Sequence, residues 1–132
     1  MKILDASFLV DYLGGHEATK DFYEENGADE QRWVAPVPAY AEVLVGEGNL
    51  PTGNVASARA DLAWVQKQPV DDRTATTAGE IADQIGADGP HLDGLDALIA
   101  AVGRELDAPV VSADSDLTHP ETKQVVGVEE YR

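Results

Sequence analysis

Cysteine is absent from this chain of 132 residues. Without thiolates the chain has no disulfide scaffold, no cysteine-ligated zinc finger, no iron-sulfur cluster and no cysteine nucleophile. The absence is consistent with a reducing compartment. Any metal that the chain binds must therefore be held by oxygen or nitrogen ligands.

Long hydrophobic runs are absent as well. The longest covers residues 97–102, far short of the roughly 18 residues that a membrane span requires. The N-terminal segment reaches a carboxylate, Asp5, after only two apolar residues, which excludes a secretion signal there. We expect a protein of the cytoplasm without membrane attachment.

Basic side chains are scarce: there are 9 Lys and Arg against 25 Asp and Glu, giving a formal net charge of -16. The hydrophobic content of 43% is ordinary and argues against disorder. An acidic surface stays soluble through self-repulsion and is tolerated where concentrated salt screens its charges. Two explanations remain open. We favour adaptation to a high-salt cytoplasm, as in halophilic archaea, and the alternative is an acidic surface that binds a basic partner.

The apolar residues indicate helices that alternate with short aliphatic strands. The patterns predict strands over residues 2–4, 32–35, 69–71, 109–112 and 124–128, followed by a polar tail at 129–132. They predict helices over residues 7–13, 16–26, 39–46, 54–65, 74–85 and 95–106. No repeat or linker interrupts the series, so residues 1–132 are expected to form a single domain. The alternation predicts an α/β fold with a mainly parallel sheet covered on both faces.

Acidic residues follow two of the predicted strands. Asp5 ends the first strand, and Asp114 and Asp116 follow the strand over 109–112. In open α/β sheets the ligand site lies beyond the carboxyl ends of the strands. Two further acids, Glu42 and Asp96, lie among apolar neighbours in predicted helices.

Each of these acids also has an ordinary structural explanation. Asp5 and Asp96 stand where carboxylates cap helices, and Glu42 lies on an amphipathic helix. If the acids converge, however, their mutual repulsion requires a cation among them. Oxygen ligands favour a hard ion such as Mg²⁺ or Mn²⁺, whose typical chemistry is phosphodiester hydrolysis.

Four segments that contain these acids together resemble the PIN-domain ribonucleases, and among them the VapC toxins of toxin-antitoxin pairs. The segments are ILDASFLVD at 3–11, AEVL at 41–44, LDALIAA at 95–101 and VVSADSD at 110–116. The acids occur in the family's order and approximate spacing over nearly the whole chain. The resemblance implies a three-layer α/β/α sandwich with a mainly parallel central sheet.

The resemblance also implies roles for individual residues. The four metal-binding acids of the family are matched by Asp5, Glu42, Asp96 and Asp114. A second group is expected to support the metal or orient its ligands: Ser7, Asp93, Ser112 and Asp116. For Ser7 and Asp93, capping of a helix is the alternative explanation.

An activity and a set of partners follow from the same resemblance. The implied activity is that of a Mg²⁺- or Mn²⁺-dependent endoribonuclease, in which a metal-activated water cuts RNA and leaves a 5′-phosphate and a 3′-hydroxyl. The implied partners are an RNA substrate, a small antitoxin protein whose tail enters the acidic cleft, and a second copy of the chain in a homodimer. The alternative is a non-catalytic PIN-like module that binds a protein through the same cleft.

Two features of the sequence depart from what the resemblance implies. The net charge of -16 opposes RNA binding, which normally uses Lys and Arg to replace counterions. Ala113 stands where many family members have a basic or polar residue before the fourth acid. The sequence does not reveal which of the arginines face the cleft: Arg32, Arg59, Arg73, Arg104 and Arg132. Asp11 is predicted to be a solvated helix residue, and Trp33 and Trp64 to belong to the core.

Overall fold

Five short strands form a central sheet in the computed structural model, which describes residues 1–132. The strands are β1 (Lys2–Leu4), β2 (Trp33–Pro36), β3 (Gln66–Gln68), β4 (Val110–Ser112) and β5 (Val128–Glu130). Every neighbouring pair is parallel, in the order β3-β2-β1-β4-β5. The three inner strands are largely apolar and, apart from Lys2, buried, because helices cover both faces of the sheet.

Seven α-helices and one 3-10 helix connect and flank the strands. The α-helices are α1 (Ala6–Leu13), α2 (Glu17–Glu25), α3 (Val37–Asn49), α4 (Val55–Asp61), α5 (Asp72–Ile85), α6 (Gly94–Glu105) and α7 (Pro120–Lys123). The 3-10 helix covers Ala28–Glu30. This architecture confirms the predicted α/β/α fold with a parallel sheet. None of the helices combines the length and the apolar character that crossing a membrane would require.

The order of the strands creates a crevice at one edge of the sheet. The chain builds β1, β2 and β3 toward one side and then returns to place β4 and β5 on the other side of β1. Strands β1 and β4 are paired through Ile3 with Val110 and Leu4 with Val111. Connections leave these two strands in opposite directions, and such a switch point is where open α/β sheets bind ligands.

Packing fixes helix α6 from two sides. Ile99 and Val102 belong to the larger hydrophobic cluster, which surrounds the inner strands. Ala97, Ala100 and Ala101 belong to a second cluster, which α6 shares with α5 and the segment after β4. Because opposite faces of α6 are buried in different clusters, the first turn of this helix has a defined position above the sheet.

The prediction for the third strand is wrong by about three residues. Helix α4 ends at Asp61 instead of continuing to residue 65, and β3 covers Gln66–Gln68, before the predicted 69–71. This strand lies at the edge of the sheet, next to β2 only. An edge strand is partly exposed and accepts polar side chains, so its Gln-Lys-Gln sequence carries no apolar signal.

The prediction for the last strand is also wrong. Residues 124–126 complete the turn after α7, and the strand covers Val128–Glu130, which the sequence analysis assigns largely to a polar tail. The segment is not a free tail, because Tyr131 is only 8% exposed and its ring lies 4.9 Å from that of Phe8. Here too a polar strand occupies a sheet edge, beside β4.

Both tryptophans pack against the larger cluster, as predicted. Trp33 is buried, its ring stacks on Tyr23 with centroids 5.2 Å apart, and its Nε1 donates a hydrogen bond to the carbonyl oxygen of Ala28. Trp64 is half-buried and makes an edge contact with Tyr12. Burial of these rings explains their presence without a role in stacking on bases.

Candidate active site

Asp5 is a buried acid at the carboxyl end of β1. It occupies the position that precedes α1, yet its side chain makes no capping hydrogen bond, so the capping explanation is wrong for this residue. Instead its Oδ2 accepts hydrogen bonds from the hydroxyls of Ser7, at 2.8 Å, and Ser112, at 2.7 Å. These two bonds offset the cost of burying a carboxylate that is only 3% exposed.

The same two hydroxyls fix the loop that follows β4. Ser112 Oγ accepts a hydrogen bond from the backbone N–H of Asp114, and Ser7 Oγ accepts one from the N–H of Ala113. Asp114 Oδ1 accepts from two further backbone N–H groups, at Asp116 and Leu117. The other carboxylate oxygen of Asp114 has no hydrogen-bond partner and remains available to a ligand.

Asp96 lies in the first turn of α6, and Asp93 caps that helix. The carboxylate Oδ1 of Asp93 accepts a hydrogen bond of 2.8 Å from the backbone N–H of Asp96. The capping explanation is therefore confirmed for Asp93. The carboxylate of Asp96 makes no hydrogen bond within the protein, but it lies in the first turn of α6, where the helix dipole favours an acid. Because α6 is packed on two faces, the half-buried Asp96 side chain is held over the ends of β1 and β4.

The four acids predicted to bind metal line one cleft of about 330 Å³. Glu42 contributes from α3, where its side chain is exposed. The complete lining consists of Asp5, Ala6, Ser7, Val10, Asp11, Glu42, Asp96, Asp114 and Arg132. Residues separated by more than 100 positions in the sequence therefore meet at the switch point of the sheet.

Burial and mutual repulsion raise the pKa values of two acids in the cleft. The pKa of Asp96 rises to about 7, first because the carboxyl is partly desolvated and then because Asp114, Asp93, Asp5 and Glu42 lie nearby. Desolvation likewise raises the pKa of Glu42, with further contributions from Asp5, Asp93 and Asp114. Such a set of carboxylates is costly to ionise together unless a cation lies among them.

Asp116, which is expected to have a supporting role, lies close to two of the proposed metal-binding acids. One carboxylate oxygen each from Asp96, Asp114 and Asp116 lie within 4.8 Å of one another. Three carboxylate oxygens at this spacing are suited to a hard divalent cation such as Mg²⁺ or Mn²⁺. Asp5 lies deeper, and one of its carboxylate oxygens accepts hydrogen bonds from two hydroxyls. Because all of the candidate ligand atoms are carboxylate oxygens, the residues present fit an all-oxygen metal site.

A hydrogen-bonded group that the sequence pattern does not indicate lies at the rim of the cleft. Asp11 Oδ2 accepts hydrogen bonds from Tyr131 Oη at 2.6 Å and from Arg132 Nε at 2.7 Å. Burial opposes ionisation of Asp11, but these two hydrogen bonds, together with the charges of Arg132 and His16, outweigh it and lower the pKa of Asp11 below its usual value. The prediction that Asp11 is merely solvated is therefore wrong. Only the position of β5, which the sequence pattern misplaced, brings Tyr131 and Arg132 to Asp11.

Replacing Ser112 with Ala is expected to weaken both the fold and the site. The change removes the fully buried hydroxyl that joins Asp5 to the backbone of Asp114. It leaves the buried carboxylate oxygen of Asp5 with one hydroxyl donor instead of two, and it leaves the backbone N–H of Asp114 unpaired. The free energy of unfolding is expected to fall by about 1–3 kcal/mol. Urea unfolding monitored by circular dichroism measures this loss. Ser57→Ala, at an exposed position of α4, is the control, and equal stability of the two variants would contradict the bridging role.

Fold and site together define a class: an α/β protein with carboxylates gathered at the switch point of a parallel sheet. The comparison with protein families then gives the family itself. The model of the PIN domain matches residues 2–123, so the chain belongs to the PIN domain family.

Solved structures share the fold along the whole chain. FitAcB from Neisseria gonorrhoeae matches with a TM-score of 0.78 and 20% identity, over 99% of this chain and 98% of that one. DNA-bound VapBC from Salmonella typhimurium matches with a TM-score of 0.79 and 15% identity, over 99% and 98%. VapC20 from Mycobacterium tuberculosis, described as a Sarcin-Ricin loop cleaving toxin, matches with a TM-score of 0.66 and 16% identity, over 96% of each chain. No curated protein matches the sequence.

Proposed function

We propose that the chain is a Mg²⁺- or Mn²⁺-dependent endoribonuclease and the toxin of a toxin-antitoxin pair. The single observation that carries this proposal is the convergence of Asp5, Glu42, Asp96 and Asp114 on one cleft, where desolvation and then mutual repulsion raise the pKa of two of them. Membership of the PIN domain family and the similarity to toxin structures support it.

The metal-binding acids of the proposal are these four, with Asp116 close to Asp96 and Asp114. A divalent ion bound there supplies Lewis-acid activation of water and neutralises charge on the phosphate. The protein holds its acids in position beforehand: two serine hydroxyls orient Asp5, and two backbone N–H groups orient Asp114. This preorganisation limits the reorganisation needed during the reaction.

Glu42 is the most exposed of the four proposed metal-binding acids. Its carboxylate is exposed at the cleft, so it can exchange protons with solvent, and its pKa is raised. Because desolvation and neighbouring carboxylates raise this pKa in the absence of a cation, Glu42 is expected to lose its proton when a divalent ion is bound. In the proposed reaction the water's oxygen bonds to phosphorus, its proton passes to solvent, and the 3′-oxygen leaves and is protonated from solvent. The products carry a 5′-phosphate and a 3′-hydroxyl.

The proposed substrate is single-stranded or looped RNA, whose backbone can enter an open cleft while its bases splay outward. The net charge of -16 works against this substrate at low salt. Concentrated salt shortens the screening length to about 3 Å at 1 M and removes most of that repulsion. Cations held by the acids also reverse the local sign of the potential.

Removing the metal is expected to abolish cleavage. Purified protein is incubated with total RNA at molar salt, with Mn²⁺, with EDTA, and with EDTA followed by excess Mn²⁺. The proposal expects RNA cleavage with Mn²⁺, none with EDTA, and recovery after Mn²⁺ is restored. RNA degradation that continues in the presence of EDTA would contradict the metal mechanism. The absence of cleavage under every condition would favour the non-catalytic binding module.

The proposed protein partners are a second copy of the chain and a small antitoxin. Several exposed hydrophobic side chains lie beside the cleft: Val10 lines it, Leu95 precedes Asp96, and Val45 lies one turn after Glu42. Exposed apolar residues around an acidic site are typical of a surface that another protein covers. A basic side chain of an antitoxin would complement the carboxylates of the cleft.

A further inference from the structure

The acidic cleft contains a single basic residue. Of the nine Lys and Arg in the chain, only Arg132 is part of the lining. The other contacts of basic residues lie elsewhere, for example Lys2 with Glu129, Lys123 with Glu130 and Arg104 with Gln84. In a protein of net charge -16, a lone cation beside five acids is the one side chain in the cleft that attracts a polyanion.

Asp11 holds Arg132 by one edge of the guanidinium. The ion pair joins Arg132 Nε to Asp11 Oδ2 at 2.7 Å, and the guanidinium carbon lies 5.8 Å from the ring centroid of Tyr131, while neither terminal nitrogen makes a hydrogen bond to the protein. The Arg132 side chain is 47% exposed. Because a guanidinium carries five N–H donors, the pair with Asp11 leaves the terminal donors free to bind another anion.

The anchor of this arrangement is rigid. Tyr131 is buried against Phe8, and its hydroxyl donates to the same oxygen of Asp11 that accepts from Arg132. Asp11 is itself fixed in α1, the helix that begins directly after Asp5. The position of the Arg132 guanidinium is therefore set relative to the acids before any ligand arrives, which lowers the entropic cost of binding.

We propose that Arg132 binds a backbone phosphate of the RNA next to the phosphate that is cut. This inference rests on the proposed function and adds a specific substrate contact to it. None of the four acids forms an ion pair with Arg132, so its charge is not consumed by the metal site. Planar guanidinium groups bind phosphate through paired N–H donors, and Arg132 presents such donors at the rim of the cleft.

The test measures RNA binding separately from RNA cleavage. Binding of a labelled single-stranded oligoribonucleotide is followed by fluorescence anisotropy between 0.2 and 1 M salt with Mn²⁺, in an Asp5→Asn background that prevents turnover. Arg132→Gln is compared with Arg132→Lys. The matched control is Arg73→Gln, which removes the same charge from an exposed residue that does not line the cleft.

Arg132→Gln is expected to weaken binding about tenfold, because it removes charge-assisted hydrogen bonds to a phosphate. The negative slope of the logarithm of the binding constant against the logarithm of the salt concentration is expected to become shallower by about 0.7, the value for one phosphate contact on a single strand. Arg132→Lys keeps the slope with intermediate affinity, and Arg73→Gln leaves both unchanged. In the active protein Arg132→Gln raises KM with little change in kcat.

A purely structural role makes a different prediction. If Arg132 only secures Asp11, then Asp11→Asn and Arg132→Gln should weaken binding equally, and neither should change the salt slope. The phosphate role expects Asp11→Asn to keep the slope because the guanidinium remains. An unchanged slope in Arg132→Gln would overturn the inference. A chain that binds RNA through Arg132 but never cleaves it would overturn the proposed function and leave only the phosphate contact of Arg132 standing.

Discussion

Replacing Asp96 with Asn is expected to lower RNA cleavage by about 10³-fold or more. Asp96 lines the cleft from a helix that is packed on two faces, and it approaches both Asp114 and Asp116. The amide preserves the shape of the side chain but removes the negative charge that a divalent cation needs. Losing one preorganised charge contact at a reacting phosphate costs about 10²–10³ in rate, and weaker metal binding adds to it. Initial rates measured over a range of Mn²⁺ concentrations separate the loss of metal affinity from the loss of rate at saturation.

The control for this variant is Asp83→Asn, on the exposed surface of α5. It makes the same change of charge at a residue outside the cleft and should keep cleavage within about twofold of the unmodified chain, as expected for ordinary surface substitutions. Asp5→Asn is a second test, since Asp5 is buried at the base of the cleft. Full activity in both Asp96→Asn and Asp5→Asn would reject the assignment of these acids.

The same Asp96→Asn variant is expected to be more stable than the unmodified chain at pH 8 when EDTA is present. The folded protein raises the pKa of Asp96 to about 7, mainly by desolvation and then by repulsion from its neighbours. Unfolding removes this cost of ionising Asp96, because the pKa of an exposed Asp is near 3.9. The loss of folding stability caused by ionised Asp96 is therefore absent below about pH 4, grows as the pH rises, and is complete above pH 7. Allowing for partial solvent exposure, the gain from Asn is about 1–2 kcal/mol.

Urea unfolding at pH 8 and at pH 5.5, in high salt with EDTA, measures this gain. The advantage of Asp96→Asn should be large at pH 8 and smaller at pH 5.5, and Asp83→Asn corrects for the general change in net charge. Mn²⁺ should stabilise the unmodified chain more than the variant, since a ligand stabilises the state that binds it. A gain that does not depend on pH would contradict the electrostatic origin of the pKa of Asp96.

The inner part of the fold is predictable from the sequence because burial imposes a clear pattern. Strands β1, β2 and β4 are apolar, since both of their faces are covered, and α6 shows a continuous apolar stripe. Strands β3 and β5 are polar because each lies at an edge. Their positions depend on pairing with β2 and β4, which is a tertiary interaction that local periodicity does not record.

The candidate site, like the fold, could be predicted only in part from the sequence. Its four acids could be identified because each stands in a short segment that resembles a known family, and the structure brings all four to one cleft. The hydroxyls of Ser7 and Ser112, which converge on Asp5, were also among the expected supporting residues. The role of Arg132 could not be predicted, because it depends on the register of a strand that the pattern misplaced.

The assembly of the cleft from both halves of the chain has a consequence for synthesis. The hydroxyl of Ser112 and the carboxylate of Asp114 are made more than 100 residues after the buried side chain of Asp5. A ribosome has therefore translated more than 100 residues beyond β1 before β4 can pair with it and close the site. The acidic cleft of a nascent chain stays incomplete until β4 has been synthesised.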